Sequence, residues 1–528
     1  MSRIFEKRYA ISRRRLIQSF GALAAMPSLG REALAQPVFA TFPFQLGVAA
    51  GDPMPDGFVI WTRLAPEPLE RGYGMPSQPV EVQWEVASDR GFRTVVRKGA
   101  AVARPELGHS VHVEVAGLDP ATTYWYRFIA GTERSLYGRA RTMPAPGSSL
   151  ARVRFASAGC QHYEQGLFTP YRKLAAEPDL DFVFHYGDYI YEYRSERLWN
   201  SGPGPVENVR RHVDLETYSL DDYRRRYAQY KMDADLQAAH AAAAWFVTWD
   251  DHEIENNWVG AIDENGTPPG IFNLRRQAAA QAYYENMPLR AQSFPIGPSM
   301  QLYRRAVYGD LLDLNLLDTR QYRTDQPCND QWGVQCNELD RQSEVLGAAQ
   351  EKWLTDNLSG SRARWKALAQ QIMMMDLDRV AAPDVYAMNP DSWGAYDRPR
   401  DRLLRFIRDR RIANTVVLTG DEHQNFAGEL HLDGRNPEGA PIAPEFVATS
   451  ISSGGSGNDM RPDMVEILKA NPFVKFNNNQ RGYLLCEVTP ERWLSEFKVL
   501  DSATDPRAAF STRARLAVEA GNPRIVAA

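Results

Sequence analysis

Phe182-Val183-Phe184-His185-Tyr186-Gly187-Asp188-Tyr189-Ile190-Tyr191 is the stretch on which the reading of the chain turns. An apolar run ends at a glycine, and an Asp and a Tyr follow, three residues apart. The run has the length and composition of a buried strand, and Gly187 allows the chain to turn sharply at its end. In open α/β sheets, ligands bind beyond the carboxyl ends of the strands. Asp188 and Tyr191 delivered there can turn oxygen atoms toward one ion. Taken alone, the residues read equally well as a strand followed by an ordinary Asp turn.

The other apolar runs decide between these readings. The run at 153–157 leads to Cys160. The run at 244–249 leads to Asp250-Asp251-His252-Glu253. The run at 415–419 leads to Gly420-Asp421-Glu422-His423. Each places metal-binding or acid–base side chains at a strand end. Patterns expected of helices lie between them, at 167–176, 221–232, 234–244, 271–287, 349–357 and 403–409. A further strand is expected at 311–317, and a helical patch near Arg513 to Glu519. This alternation predicts an α/β fold from residue 151 onward.

Upstream the pattern is all-β. Strands are expected at 58–64, 80–86, 112–115 and 123–128, with turn signals between them. This suits a fibronectin- or immunoglobulin-like sandwich with no catalytic cluster inside it. Pro144-Ala145-Pro146-Gly147-Ser148-Ser149 reads as a linker. The division is then residues 36–147 for the β-sandwich and 148–528 for the catalytic domain.

Residues 1–35 read as an export signal. Ser12-Arg13-Arg14-Arg15-Leu16-Ile17 is a twin-arginine pattern, a weakly apolar run follows, and Ala33-Leu34-Ala35 is a small-residue cleavage site. No apolar run reaches the length of a membrane span. The 528 residues carry a formal charge of −5. Loss of the leader, with seven Lys/Arg and two Asp/Glu, takes this to −10, which argues against a nucleic-acid-binding face. The expected location is periplasmic or secreted, reached through the twin-arginine translocation machinery.

In such a compartment disulfides are allowed. Cys328 and Cys336 lie eight apart in a polar, loop-like stretch and are expected to pair. Cys486 lies in a strand-like run and is expected to be a small buried hydrophobe. Cys160 is left over and needs a reason. His185, Tyr189 and Tyr193 are expected to pack, and Asp250 to stabilise its turn. Arg320 and Arg323 suit phosphate contact and a structural ion pair equally well.

Together these motifs resemble a known family. Gly-Asp-x-x-Tyr is the pattern of purple acid phosphatases, within the calcineurin-like metallophosphoesterases. Cys160-Gln161, Asp250-Asp251-His252-Glu253 and Gly420-Asp421-Glu422-His423 are similar to the PhoD-type alkaline phosphatases and phosphodiesterases, as are Gly47-Val48-Ala49-Ala50-Gly51-Asp52-Pro53 and Asp318-Thr319-Arg320-Gln321-Tyr322-Arg323. One departure is Ala158-Gly159-Cys160-Gln161, where that family commonly has Ala-Ser-Cys-Gln.

The resemblance implies a four-layer α/β/β/α metallophosphoesterase sandwich behind the smaller β domain. It implies a site with Fe³⁺ and Ca²⁺, for which other divalent ions such as Mn, Co or Zn are possible substitutes. Carried over residue by residue, Cys160 and Tyr191 would ligate iron and Asp188 would bridge iron and calcium. Asp251 and Asp421 would hold calcium, and His423 would sit on the iron side. His252 would contact phosphate or protonate the leaving oxygen, with Asn257 orienting a phosphate oxygen or completing the calcium shell. The implied function is alkaline phosphatase chemistry: attack on a phosphate ester by metal-activated hydroxide, with release of phosphate. Two alternatives are a phosphodiesterase or phospholipase D-like hydrolase at the same site, and an exported calcium-binding protein without catalysis.

Overall fold

The computed structural model describes residues 37–199, 206–331, 343–380, 382, 385–434, 437 and 439–528. The expected export signal lies outside these residues. So does Cys336, so the expected Cys328–Cys336 bridge falls outside them as well.

Two sheets carry the fold from Phe39 onward. In the ten-stranded sheet the strands Val153–Ala158, Phe182–His185, Ala244–Val247 and Val48–Met54 run parallel at the centre. In the seven-stranded sheet the parallel set is Leu312–Leu316, Trp365–Ala369, Thr415–Thr419 and Ala443–Val447. Strands paired in parallel end on the same side, so each sheet gathers its strand ends in one place.

The central strands are apolar on both faces, as parallel strands covered on both sides must be. Phe182 and Phe184 join a core with Leu312, Leu314, Val416 and Leu418, between the sheets. Val183, one residue out of phase, packs with Tyr171, Leu174, Tyr227 and Leu236 from the helices Thr169–Ala175, Leu220–Lys231 and Ala234–Ala242. On the other sheet Leu368 and Val417 face Leu354, Leu403 and Ile407 of Gly347–Gly360 and Asp397–Asp409. The period-2 alternation therefore sends neighbouring side chains into different cores.

The N-terminal β segment is divided between sheets. Val80–Ala87, Val95–Ala103, Thr123–Ala130, Glu133–Arg134 and Gly138–Arg141 form a five-stranded sheet. Gly57–Arg63 and Ser110–Val115, two of the four strands expected in a self-contained sandwich, extend the ten-stranded sheet instead. Val59, Ile60 and Trp61 of the first are fully buried. A strand buried on both faces reads alike in either kind of sheet, so sequence does not assign it.

The expected helical patch near Arg513–Glu519 is a strand. Phe510–Glu519 pairs antiparallel with Arg492–Leu500. Its Ala, Arg, Leu and Glu favour a helix, but the open edge of Arg492–Leu500 and the burial of Ala517 and Val518 override that preference.

Tyr186 joins the two sheets. It follows Phe182–His185 of one sheet, is fully buried, and its hydroxyl donates to the carbonyl of Thr449 at 2.7 Å, just past Ala443–Val447 of the other. A methyl on Gly159 or on Gly420 would overlap its ring. Gly159, the departure from the family pattern beside Cys160, is thus the residue that admits Tyr186. Gly420→Ala is expected to lower the thermal midpoint by several degrees, since overpacking a filled core costs about 1–3 kcal/mol. Gly270→Ala, where an added methyl meets only open space, should leave the midpoint unchanged. Thermal unfolding of the two variants side by side checks both.

Candidate metal centre

The four strand ends converge. Three groups of donors have ligand atoms within 4.8 Å of one another: Cys160, Asp188 and His423; Asp188, Asp251 and His252; and Asp250, Asp251 and Asp421. Asp188 and Asp251 are each shared by two groups, so the three form one continuous cluster.

The backbone at these positions is unusual. Cys160, Asp188, Asn257, Asp421 and His423 all have positive φ, between 50° and 64°. Gly187, at φ 125°, turns the chain out of its strand, and a side chain there would strike the backbone at Asp250. The left-handed region costs a non-glycine residue roughly 1–2 kcal/mol, less for Asp and Asn. Buried hydrogen bonds hold the turns. Glu253, fully buried, accepts the backbone N–H groups of Asp188 (3.1 Å), Tyr189 (2.6 Å) and Asp250 (2.8 Å). Cys160 N–H donates to the carbonyl of Gly187 at 3.1 Å.

Asp188 is 1% exposed. One of its oxygens accepts the Tyr191 hydroxyl at 2.8 Å and lies 3.8 Å from His423 Nε2. Tyr191 Oη is also 3.1 Å from His423 Nε2 and 2.7 Å from Ser453 Oγ. Burial pushes the Asp188 carboxyl up to about 7, partly offset by His252. Burial, then neighbouring acids, likewise raises the Cys160 thiol, the Tyr191 phenol and the Asp421 carboxyl well above their ordinary ranges.

On the other side four carboxylates meet one guanidinium. Arg320 is fully buried and lies 2.5 Å from Asp250, 2.8 Å from Asp391, 3.6 Å from Asp251 and 3.9 Å from Asp421. Asp250, expected only to stabilise its turn, thus belongs to the cluster and pairs with Arg320. Burial opposes ionisation of Asp251, but Arg320 and His252 outweigh it and hold that carboxyl below its ordinary value. Arg323 pairs with Asp391 and stacks on Tyr396. Asp391 thus clamps both arginines in buried ion pairs.

His252 lies between acids. Its Nδ1 is 2.8 Å from Glu192 Oε2, and Glu192 Oε1 accepts the Asn256 N–H at 2.8 Å. Burial works to discharge the imidazole, yet Asp251, Glu192 and Asp188 hold it protonated. Its ring packs on Tyr191 at 4.1 Å and on Tyr193 at 5.2 Å. Asn257 donates its N–H to Asp251 at 2.8 Å and its amide to Asp330 at 2.6 Å. His185 and Tyr189 face away from the donors. His185 Nε2 lies 3.4 Å from Gln161 Oε1, and Tyr189 Oη lies 2.8 Å from His240.

The donor set fits metal ions. Asp250 Oδ2 and Asp251 Oδ1 are buried without a hydrogen-bond partner. Buried carboxylates this close need compensating charge, and Arg320 and His252 supply only part of it. The donors also sort by chemistry, with carboxylates on one side and thiol, phenol and imidazole on the other.

Residues 155–497 match the family model described as PhoD-like phosphatase, and residues 31–144 match its N-terminal domain. The chain belongs to the PhoD-like phosphatase family. As a member it is a phosphoric ester hydrolase. It is 49% identical over 513 residues to alkaline phosphatase D of Bacillus subtilis (strain 168), across 95% of this chain and 86% of that one. A solved structure of PhoD superposes with a TM-score of 0.89 at 48% identity, covering 93% of this chain and 94% of that one. GAP50, the anchor in the inner membrane complex of Plasmodium, matches at 12% identity and a TM-score of 0.34, over 69% of this chain and 89% of that one. That likeness is too faint to use.

Within this family member, sequence reasoning missed three contributors. Glu192 had a local signal, a carboxylate directly after Tyr191. Asp391 and Ser453 had none, because they approach the site from distant loops. Removal of one partner from a buried ion cluster costs about 3–5 kcal/mol. Arg320→Met should therefore lower the unfolding free energy by that order, read by chemical denaturation in chelator.

Proposed function

We propose that the chain is an exported, metal-dependent alkaline phosphatase acting on phosphate esters at the Asp188-centred cluster. The observation that carries this is the pair of donor sets sharing Asp188. Cys160, Tyr191 and His423 would hold Fe³⁺, and Asp251 and Asp421, with Asp250 beside them, would hold Ca²⁺. Mn, Co or Zn are possible substitutes. When bound, the ions would supply a polarised water as nucleophile and neutralise charge on the phosphoryl oxygens. The cluster would lie within a four-layer α/β/β/α arrangement.

The chain's own groups do the rest. His252, kept protonated by its three carboxylate neighbours, donates a proton to the departing alkoxide, which spares the leaving group its full charge. Glu192 fixes the His252 ring by accepting the Nδ1–H hydrogen bond at 2.8 Å, which leaves Nε2–H as the proton donor. Asn257, held by Asp251 and Asp330, offers its amide to a phosphoryl oxygen when it exchanges partners. Asp188 and Tyr191, whose carboxylate and hydroxyl lie 2.8 Å apart, would present their oxygens to the ions.

A phosphodiester reading is supported by one observation. A cavity of about 290 Å³, lined by His162, Glu164, Tyr193, Arg194, Glu196 and Glu216, lies beside the cluster. His162 packs on Tyr191 at 4.4 Å and Tyr193 on His252 at 5.2 Å, so a second ester group has room next to the reacting phosphorus. The twin-arginine pattern at 13–15 and the small residues at 33–35 support export, with a mature chain beginning at Gln36.

The test uses protein exported by a host with intact twin-arginine translocation. Its N-terminus should be Gln36, and metal analysis should find iron and calcium. A visible phenolate-to-iron band should vanish in Tyr191→Phe. Asp188→Ala should lose both ions and at least 10³-fold in turnover of aryl phosphate mono- and diesters. Full turnover in Asp188→Ala would overturn the assignment. Glu192→Gln should slow alkyl esters at least tenfold while leaving nitrophenyl esters, whose leaving group needs no proton, within about threefold. Equal slowing of both ester types would remove the proposed role of the Glu192–His252 pair.

A further inference from the structure

Arg481 is 2% exposed, and among the described residues no carboxylate pairs with it. Neutral acceptors surround its guanidinium instead. Nε donates to the carbonyl of Gly455 at 2.8 Å. Nη2 donates to Asn479 Oδ1 at 3.1 Å. Nη1 donates to the main-chain carbonyl of His423, to Thr449 Oγ1 at 3.2 Å and to Ser450 Oγ at 3.1 Å.

The chain has been shaped around this group. It lies against the loop Ser452-Ser453-Gly454-Gly455-Ser456-Gly457. A methyl on Gly454 would come within 3.3 Å of Nη2, and one on Gly457 within 2.8 Å. Both glycines have positive φ. A buried cation is costly unless it is paired or richly hydrogen-bonded. The ionisable groups that favour its charge are Cys160, Tyr186 and Tyr191. Two of these are donors on the thiol–phenol side of the cluster, and they carry negative charge when they ligate.

The bonds around Arg481 reach all three donors of that side. His423 is held through its carbonyl, which Thr449 Oγ1 also meets at 3.2 Å. Ser450 Oγ donates to the carbonyl of Ser453 at 2.6 Å. Ser453 Oγ in turn lies 2.7 Å from Tyr191 Oη and 2.8 Å from the carbonyl of Cys160. His423 and Cys160 both have left-handed backbone, which relaxes unless the surroundings hold it. No comparable connection runs from Arg481 to Asp250 or Asp251 among the hydrogen bonds of the described residues.

We propose that Arg481 is the positioning residue of the thiol–phenol–imidazole side of the cluster. Its forked donors lock the His423 turn to the Ser453 loop, and its fixed charge compensates the anionic donors there. The inference rests on the reading that Cys160, Tyr191 and His423 hold one ion and the carboxylates another. It assigns Arg481 no contact with substrate and predicts an effect on one ion only.

The experiment measures release of each ion from the metal-loaded, full-length enzyme under chelator challenge, with the thermal midpoint of the apo protein as control. Arg481→Lys keeps the charge but loses the fork; Arg481→Gln loses both. Iron release should be at least tenfold faster in Arg481→Lys and faster still in Arg481→Gln, with calcium release within twofold of wild type. Thr449→Val removes a single link and should speed iron release about threefold; it decides the matter if the Arg481 variants do not fold. Equal acceleration of both ions, or unchanged iron release in a folded variant, would overturn the inference. A wild-type enzyme whose iron is not held by the thiol and phenol, shown by an unchanged visible spectrum in Tyr191→Phe, would overturn the reading beneath it as well.

Discussion

Three buried acidic side chains, Asp188, Asp250 and Asp251, and the half-buried Asp421 are gathered around one guanidinium, and the structure is arranged around that constraint. In water they would simply ionise. In this interior each charge must be answered or given up. Arg320 answers from one side, within 4 Å of Asp250, Asp251, Asp391 and Asp421. His252 answers from the other, beside Asp188, Asp251 and Glu192. Two buried carboxylate oxygens still lack a partner. The protein alone thus leaves the cluster short of positive charge, and a cation is the economical remedy. Such a cluster adds little to stability on its own, because desolvation offsets most of the attraction. Its value is that the unmet charge creates affinity for an ion at a fixed place.

The sheets make that concentration of charge possible. The parallel strands of each sheet end together, and Tyr186 locks one set of ends against the other through its hydroxyl bond to Thr449 and its fit against Gly159 and Gly420. The cores on both sides are dense with large rings, so the strand ends have little freedom to spread. Glu253 then gathers three N–H groups from two strand ends. Rigid placement of donors matters for metal sites, since a displacement of even half an ångström alters which ion fits.

Much of this was legible in the sequence. The runs at 182–185 and 415–419 match the strands observed, and the residues that follow them are the ones brought together. They were legible because a buried strand with a polar end is a local pattern. What could not be read depends on partners far away in the chain. Arg320 looked equally suited to phosphate and to an ion pair until Asp391 closed over it. Asp250 looked like a turn residue because its partner lies seventy positions on. Gly57–Arg63 and Ser110–Val115 looked like sandwich strands, since nothing local states which sheet a strand will join; the first is buried on both faces and the second pairs with it. Phe510–Glu519 carried helix-forming residues, and only the free edge of Arg492–Leu500 made it a strand. Gly159 stood out as an irregularity beside Cys160, and Tyr186, twenty-seven residues later, explains it.

The strained backbone connects these observations. Five of the eight residues singled out from sequence sit in the left-handed region. None gains that conformation from its own chemistry, although Asp and Asn tolerate it better than Cys and His. Four of the five are held by hydrogen bonds to groups elsewhere in the chain. Cys160 is tied to Gly187, Asn257 to Asp251, His423 to Arg481, and Asp188 to Glu253. A donor in a relaxed turn would leave the site when its ion left. A donor in a strained turn, fixed by buried bonds, stays aimed at the ion's place and meets a returning ion without reorganisation. The cost of the strain is carried by the rest of the fold, which is why loops as distant as 391, 453 and 481 belong to the site.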